Sequence, residues 1–292
     1  TWIVDIDLEK FFDSVCHDKL IAIIMKIIHD GELVSLVRKY LVSGVMENGV
    51  VSSTKVGTPQ GGNLSPLLSN IMLNESDKEL EKRDLRFTRY ADDCIIVVKS
   101  EKAANRVMET ITRFIEKKLG LKVNVTKSKV ARPDQIKYLG FGFYTTKTGI
   151  IKPKPHLKSI QKFKRKLKQL TKRSWSISLE NRIIKLNQVI RGWINHFRIA
   201  DMKWVMTNIG QHLRRRIMCI IWKQWKTCRH RHECLLKLGV SKEKAKRTAY
   251  SRASYWHNSM SIVLHVAISN ERLKRKGLVT PLEHYLKVYT LI

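Results

Sequence analysis

The segment FTRYADDCIIVV, residues 87 to 98, sets Asp92 and Asp93 side by side between two short runs rich in β-branched and aromatic residues. Like charges repel, so a plain hairpin would favour Asn-Gly or Asp-Gly at its turn. A shared cation accounts for keeping the pair. Asp7, at the carboxyl end of the strand-like segment TWIVDIDL, is the candidate third carboxylate. Two Mg²⁺ ions need bridging oxygen ligands, and Mg²⁺ favours carboxylate plus substrate phosphate over an all-protein cage. Such a site orients a 3′-hydroxyl for in-line attack on a nucleoside triphosphate and stabilises the leaving pyrophosphate. On spacing alone an ordinary Asp-Asp turn stays open as the alternative.

A period of two places Ile3, Asp5 and Asp7 on one face of the first strand and Trp2, Val4, Ile6 and Leu8 on the other. Residues 18 to 43 read as helical, VGTPQGGNLSPLLSNIMLN as a Gly/Pro-broken loop entering a helix, and residues 101 to 119 as a helix. KYLGFGFYTTKTGIIKPKP reads as a β-like stretch closed by Pro153 and Pro155. Beyond it the pattern changes to basic amphipathic helix. Ile160, Phe163, Leu167 and Leu170 share one stripe, while Lys162, Lys164, Arg165, Lys166 and Lys168 fall mostly elsewhere on the wheel. A second stripe carries Ile183, Leu186, Ile190, Trp193 and Phe197, and Trp193 is expected in the core. Boundaries are expected near residues 150 and 226.

The charge is distributed as unevenly as the elements. Of the formal +31, residues 1 to 150 hold 23 basic and 19 acidic side chains, and residues 151 to 292 hold 33 and 6. A field concentrated on one half suits a polyanion, nucleic acid above all; an anionic membrane surface and a merely solvated face are the alternatives. No apolar run approaches the roughly 18 residues that span a bilayer, and no signal-like segment opens the chain. Five scattered cysteines favour a reducing compartment, so a cytoplasmic location is expected. Because the chain begins with Thr1 and runs straight into a strand, further sequence is expected upstream.

VDIDLEKFFD, GTPQGGNLSPLLSNIML, RYADDCIIV, LGLKVNVTKSKV and KYLGFGF resemble, in order, the palm motifs of reverse transcriptases, and Ala91 matches the version found in group II introns and retrons. LNQVIRGWINHFRIADM resembles the maturase region of group II intron proteins. The segment from Ala245 to Tyr289 resembles the tail of the bacterial type without an endonuclease domain. The resemblance implies an α+β fold: a palm with an antiparallel sheet and packed helices (residues 1 to 150), then an all-α basic thumb and maturase region (151 to 226) and a basic, DNA-binding-like tail (227 to 292). It implies an RNA-directed DNA polymerase with two Mg²⁺ ions, acting on an RNA template with a DNA primer and deoxynucleoside triphosphates, and binding intron RNA and target DNA. The family's fingers region has no counterpart before Asp7.

Carried over by position, Asp7, Asp92 and Asp93 are the catalytic carboxylates and metal ligands, with Asp5 in a supporting role. Lys127 matches the lysine near the triphosphate and acts as acid toward pyrophosphate, with a surface lysine as the alternative. Phe12 matches the gate beside the ribose 2′ position, and Phe11, pointing the other way along an extended segment, belongs in the core. Gln60, Gly61 and Gly62 match the loop against the incoming nucleotide. Tyr90 is expected beneath the turn. Lys162, Lys164, Arg165, Lys166, Arg191, Arg198, Arg214 and Arg215 are the candidate RNA contacts. Cys228, His230, His232 and Cys234 lack a paired knuckle spacing, which favours phosphate over zinc. Two other functions remain open: a non-catalytic splicing cofactor on a vestigial palm, and a stand-alone or retron-type reverse transcriptase.

Overall fold

The computed structural model describes residues 1–43, 45–47, 50–52, 56–58 and 62–289. The chain divides into two compact units, Thr1–Tyr138 and Leu139–Ile292.

The first unit opens with strand β1 (Trp2–Ile6); four residues beyond its end Lys10 adopts a left-handed φ of 44° and turns the chain into a short helix α1 (Phe11–Ser14). The segment expected as one helix over 18 to 43 is two, α2 (His17–Met25) and α3 (Gly31–Val42). Asp30 causes the restart, its carboxylate accepting from the backbone N–H groups of Glu32 and Leu33. A two-stranded ribbon β2 (Val45–Glu47) and β3 (Val50–Ser52) follows, then α4 (Ser65–Lys82), with a proline in its first turn. Strands β4 (Arg86–Tyr90) and β5 (Asp93–Val98) form the YADD hairpin, and α5 (Glu101–Phe114) runs on through a π-turn to Leu119 before Gly120 ends it in the left-handed region. Strand β6 (Lys129–Ala131) completes an antiparallel sheet of order β4-β5-β1-β6.

Alternation decides which face of that sheet is covered. Val4, Ile6, Cys94 and Ile96 pack into a core with Leu20, Leu68, Met72 and Ile111 from the helices. Each such aliphatic side chain contributes roughly 1.5–3 kcal/mol on full burial. The opposite face carries Asp5, Asp93, Arg86, Thr88 and Tyr90.

The second unit begins with a hairpin, β7 (Phe141–Thr145) and β8 (Ile151–Pro155), which lies with the helices that follow it. Phe141 meets Phe197 edge-on at 4.8 Å, and the Asp201 N–H donates to the Pro153 carbonyl at 2.9 Å. Three long helices, α6 (Leu157–Leu170), α7 (Leu179–His196) and α8 (Lys203–Gln224), bury the predicted stripes: Phe163, Leu167, Ile183, Leu186, Ile190 and Phe197 are all at most 4% exposed. Six shorter helices complete the unit: α9 (Cys228–Lys237), α10 (Lys242–Ala249), α11 (Tyr255–Asn258), α12 (Ile262–Ala267), α13 (Asn270–Arg275) and α14 (Pro281–Tyr289). Among the described residues, no helix is long and apolar enough to cross a membrane.

Candidate active site and nucleic-acid interface

The antiparallel register of β1 and β5 pairs Ile6 with Cys94. Extending it by one residue sets Asp7 opposite Asp93, on the open face of the sheet. Asp5 lies one pleat further in, opposite Ile95 on one side and Lys129 on the other. Burial, together with the charges of Asp93 and Asp7 and against the pull of Lys129, pushes the Asp5 carboxyl up to about 6. Desolvation and the negative charges of Asp92 and Asp7 raise Asp93 as well, while Lys137 and Lys127 oppose them.

Asp7 is held by its backbone. Its N–H donates to Ser128 Oγ at 3.0 Å, and its carbonyl accepts from the Asn124 N–H at 2.9 Å. The Asn124 side chain in turn accepts from the N–H groups of Thr126 and Lys127, folding the loop that presents Lys127. Lys127 Nζ lies 3.4 Å from Asp7 Oδ1, an oxygen that is buried and has no hydrogen-bond donor. Among the described residues, no three His, Cys, Asp or Glu side chains form a group that could hold a metal ion as they stand. The donor chemistry still suits Mg²⁺: hard carboxylate oxygens gathered at one strand end, one of them a buried acceptor that no hydrogen bond satisfies.

The turn itself is built differently from the sequence expectation. Tyr90 is not beneath it but 65% exposed, on the open face. Tyr90 pairs with Asp93, so the pleat turns both away from the helices. The residue beneath is Arg89, whose guanidinium bonds Asp77 of α4, Asn70 Oδ1 at 3.0 Å and the Ala91 carbonyl at 3.0 Å. Ala91 sits at φ 53°, the left-handed step that carries the chain into Asp92. The half-buried ion pair and the serine clasp are not legible in the sequence. The motif letters RYADD and TKSK contain Arg89 and Ser128, but nothing local says where their side chains reach.

Phe12 is half-buried and meets Phe11 edge-on at 5.3 Å. Phe11 is core, as expected, but within a helical turn rather than an extended segment. Thr58 N–H donates to the Phe12 carbonyl at 2.6 Å, and a Cβ on Gly57 would come within 2.8 Å of that oxygen, so Gly57 and Thr58 lie directly against the backbone of Phe12. Gly62 is half-buried, and its carbonyl accepts from the Ser65 N–H; Gln60 and Gly61 lie outside the described residues.

In the helical unit Lys162, Lys164, Arg165 and Lys166 are exposed on α6, as are Arg191 on α7 and Arg198 just after it. Lys162, Arg165 and Lys166 rim a cavity of about 710 Å³ whose wall includes Phe163, Trp193 and His196. Trp193 stacks on Phe163 at 4.5 Å and packs against the core. Arg214 is engaged within the fold instead, its Nη2 donating to the carbonyls of His265 at 2.7 Å and Ile268 at 2.9 Å. Arg215 lies over the Trp256 ring at 4.0 Å. Helix α9 places Cys228 with His232 on one side and His230 with Cys234 on the other, so the four side chains do not converge on one ion.

The reverse transcriptase (RNA-dependent DNA polymerase) family model matches residues 1–143, and the model of the group II intron maturase-specific domain matches residues 160–239. Protein YkfC of Escherichia coli (strain K12) is 31% identical over 163 residues, 44% of this chain and 43% of that protein. The group II intron-encoded protein LtrA of Lactococcus lactis subsp. cremoris is 29% identical over 216 residues, 52% of this chain and 36% of that protein. The retron Ec86 reverse transcriptase of Escherichia coli is 30% identical over 154 residues, 51% of this chain and 44% of that protein. The chain spans less than half the length of each of these relatives.

Proposed function

The chain belongs to the group II intron-encoded reverse transcriptases and maturases, and from that premise we propose that it copies RNA into DNA and binds its intron RNA to assist splicing and mobility. The observation that carries the polymerase reading is the juxtaposition of Asp7 and Asp93 at the end of the β1/β5 pair, with Lys127 Nζ 3.4 Å from Asp7 Oδ1. Asp7, Asp92 and Asp93 would hold two Mg²⁺ ions, whose chemistry would be charge neutralisation at the attacking 3′-hydroxyl and the leaving pyrophosphate. Lys127, beside Asp7, donates a proton to that pyrophosphate. Phe12 bounds the space for the sugar, and Gln60, Gly61 and Gly62 lie along the incoming deoxynucleoside triphosphate and the template.

In this reading residues 1 to 150 serve as palm, 151 to 226 as thumb and maturase, and 227 to 292 as a basic surface for target DNA. The exposed cations of α6 track an RNA template paired with a DNA primer and, beyond it, the intron RNA. The experiment is primer extension on RNA with Mg²⁺, using the protein expressed with any coding sequence that precedes Thr1, alongside its Asp92→Asn variant. Extension by the parent and loss of it in the variant are expected. Extension at the parental rate by Asp92→Asn would remove the assignment. A parent that binds intron RNA and never extends a primer would leave the non-catalytic splicing cofactor as the function.

A further inference from the structure

The connection between α6 and α7 carries the sequence TKRS, residues 171 to 174, and its backbone is tied down by cations from below. Arg182, only 1% exposed, donates to the carbonyls of Leu170, Lys172 and Trp175. Arg216 donates to the carbonyls of Lys168 at 3.1 Å and Thr171 at 3.2 Å and to the Thr171 hydroxyl. Lys223 Nζ donates to the Arg173 carbonyl at 3.2 Å. Two buried or half-buried arginines and one exposed lysine thus rigidify a loop whose own Lys172 and Arg173 side chains are exposed.

That loop forms one wall of a cavity of about 630 Å³, lined also by Arg216, Lys223, Tyr255 and Trp256. An aromatic ring sets its exposed arginine, with Arg173 over Tyr255 at 5.2 Å, and behind the second lining ring, Trp256, lies Arg215 at 4.0 Å. A guanidinium stacked on a ring keeps its N–H edge free for an anion. No Asp or Glu lines the cavity, and among the described residues none of Lys172, Arg173, Arg215, Arg216 and Lys223 is paired with a carboxylate.

Four cations lining one cavity without a counter-charge favour an anion that offsets their repulsion, and a fixed loop with a ring-stacked arginine suits an oxyanion with several acceptor oxygens. We infer that this cavity is a phosphodiester-binding site, a nucleic-acid contact distinct from the α6 groove, in which Lys172 and Arg173 grip adjacent backbone phosphates. The inference rests on the reading that the chain binds nucleic acid and adds where one strand is held. The strand is intron RNA or target DNA; the shared chemistry is the phosphodiester.

The test is a salt-series binding titration on the whole chain with a short unstructured oligoribonucleotide and the oligodeoxyribonucleotide of the same sequence. Three proteins are compared: parent, Lys172→Ala/Arg173→Ala, and a control of equal charge loss on the exposed side of α5, Lys102→Ala/Arg106→Ala. Loss of roughly tenfold in affinity is expected for the loop variant, since charge-assisted contacts are removed. The salt slope should flatten by about 0.7 for each phosphate released. Photocrosslinks of the parent should map to Tyr255 and Trp256 and disappear in the loop variant while those on α6 persist. Loss confined to RNA, or to DNA, identifies which strand the site holds, and loss of both assigns it to backbone alone. A loop variant that behaves like the α5 control, with crosslinks at Tyr255 and Trp256 unchanged, would overturn the inference. Absence of any binding by the parent would instead overturn the nucleic-acid reading of the whole chain.

Discussion

Arg89 and Asp77 form an ion pair directly beneath the turn that carries Asp92 and Asp93, with side chains only 14% and 17% exposed. The hydrogen bond to Asp77, more than any other influence, raises the proton affinity of Arg89, and the same guanidinium holds the Ala91 carbonyl at 3.0 Å. Removing one partner of a largely desolvated pair strands the other charge. Asp77→Asn is therefore expected to lower unfolding free energy by about 2–3 kcal/mol, read from the midpoint of urea denaturation. Primer extension should fall further than the unfolded fraction explains, because the turn loses its anchor. An unchanged midpoint would mean that Arg89 finds other acceptors.

The ring of Phe12 offers a second test. Half-buried against Phe11, it leaves space when truncated without emptying the core. Phe12→Ala should raise ribonucleotide incorporation relative to deoxyribonucleotide by roughly tenfold, the scale on which a steric pocket discriminates. Single-turnover incorporation of matched ribo- and deoxynucleotides measures the ratio, and an unchanged ratio would place the gate elsewhere.

Ser128 tests how firmly Asp7 must be held. Its hydroxyl accepts from the Asp7 N–H at 3.0 Å, and alanine leaves that donor without its partner. A cost of about 1 kcal/mol in stability is expected from Ser128→Ala. The larger effect should be on kcat, with KM for the nucleotide little changed, because the hydroxyl positions a carboxylate and touches no substrate. A shift confined to KM would contradict that role.

His212 supplies a pH dependence in the helical unit. Desolvation and then the charges of Arg216, Arg215, Lys164 and Lys168 lower its pKa from 6.5. Between that lowered value and 6.5 the unfolded chain binds more protons than the folded one, so this contribution to stability is full above pH 6.5 and is lost as the pH falls. Melting temperature should drop on acidification from pH 7.5 to 5.5, and His212→Gln should lessen the drop. An oligonucleotide bound in the adjacent basic cavity should raise the His212 pKa, visible as an upfield-to-downfield shift of its ring proton titration by NMR. A titration unmoved by saturating oligonucleotide would place the bound strand away from Arg215 and Arg216.

Much of this protein is determined locally. The alternation in TWIVDIDL and the β-branched runs around YADD specify two strands with carboxylates at their ends, and the stripes of α6 and α7 specify which side of each helix is buried; both follow from backbone period. The restart at Asp30 and the helical turn at Phe11 were missed because each hangs on a single residue's capping or left-handed backbone. What only the tertiary structure decided is which of many similar cations do which work. Arg89, Arg182, Arg214 and Arg216 spend their N–H groups on a carboxylate or on carbonyls of their own chain, while Lys162, Arg165, Lys172 and Arg173 turn theirs outward. A guanidinium reaches several residues from its Cα, and the acceptors it meets come from segments up to 54 positions away, as Ile268 is from Arg214. Sequence order records the charge; only the folded chain brings the acceptors within reach.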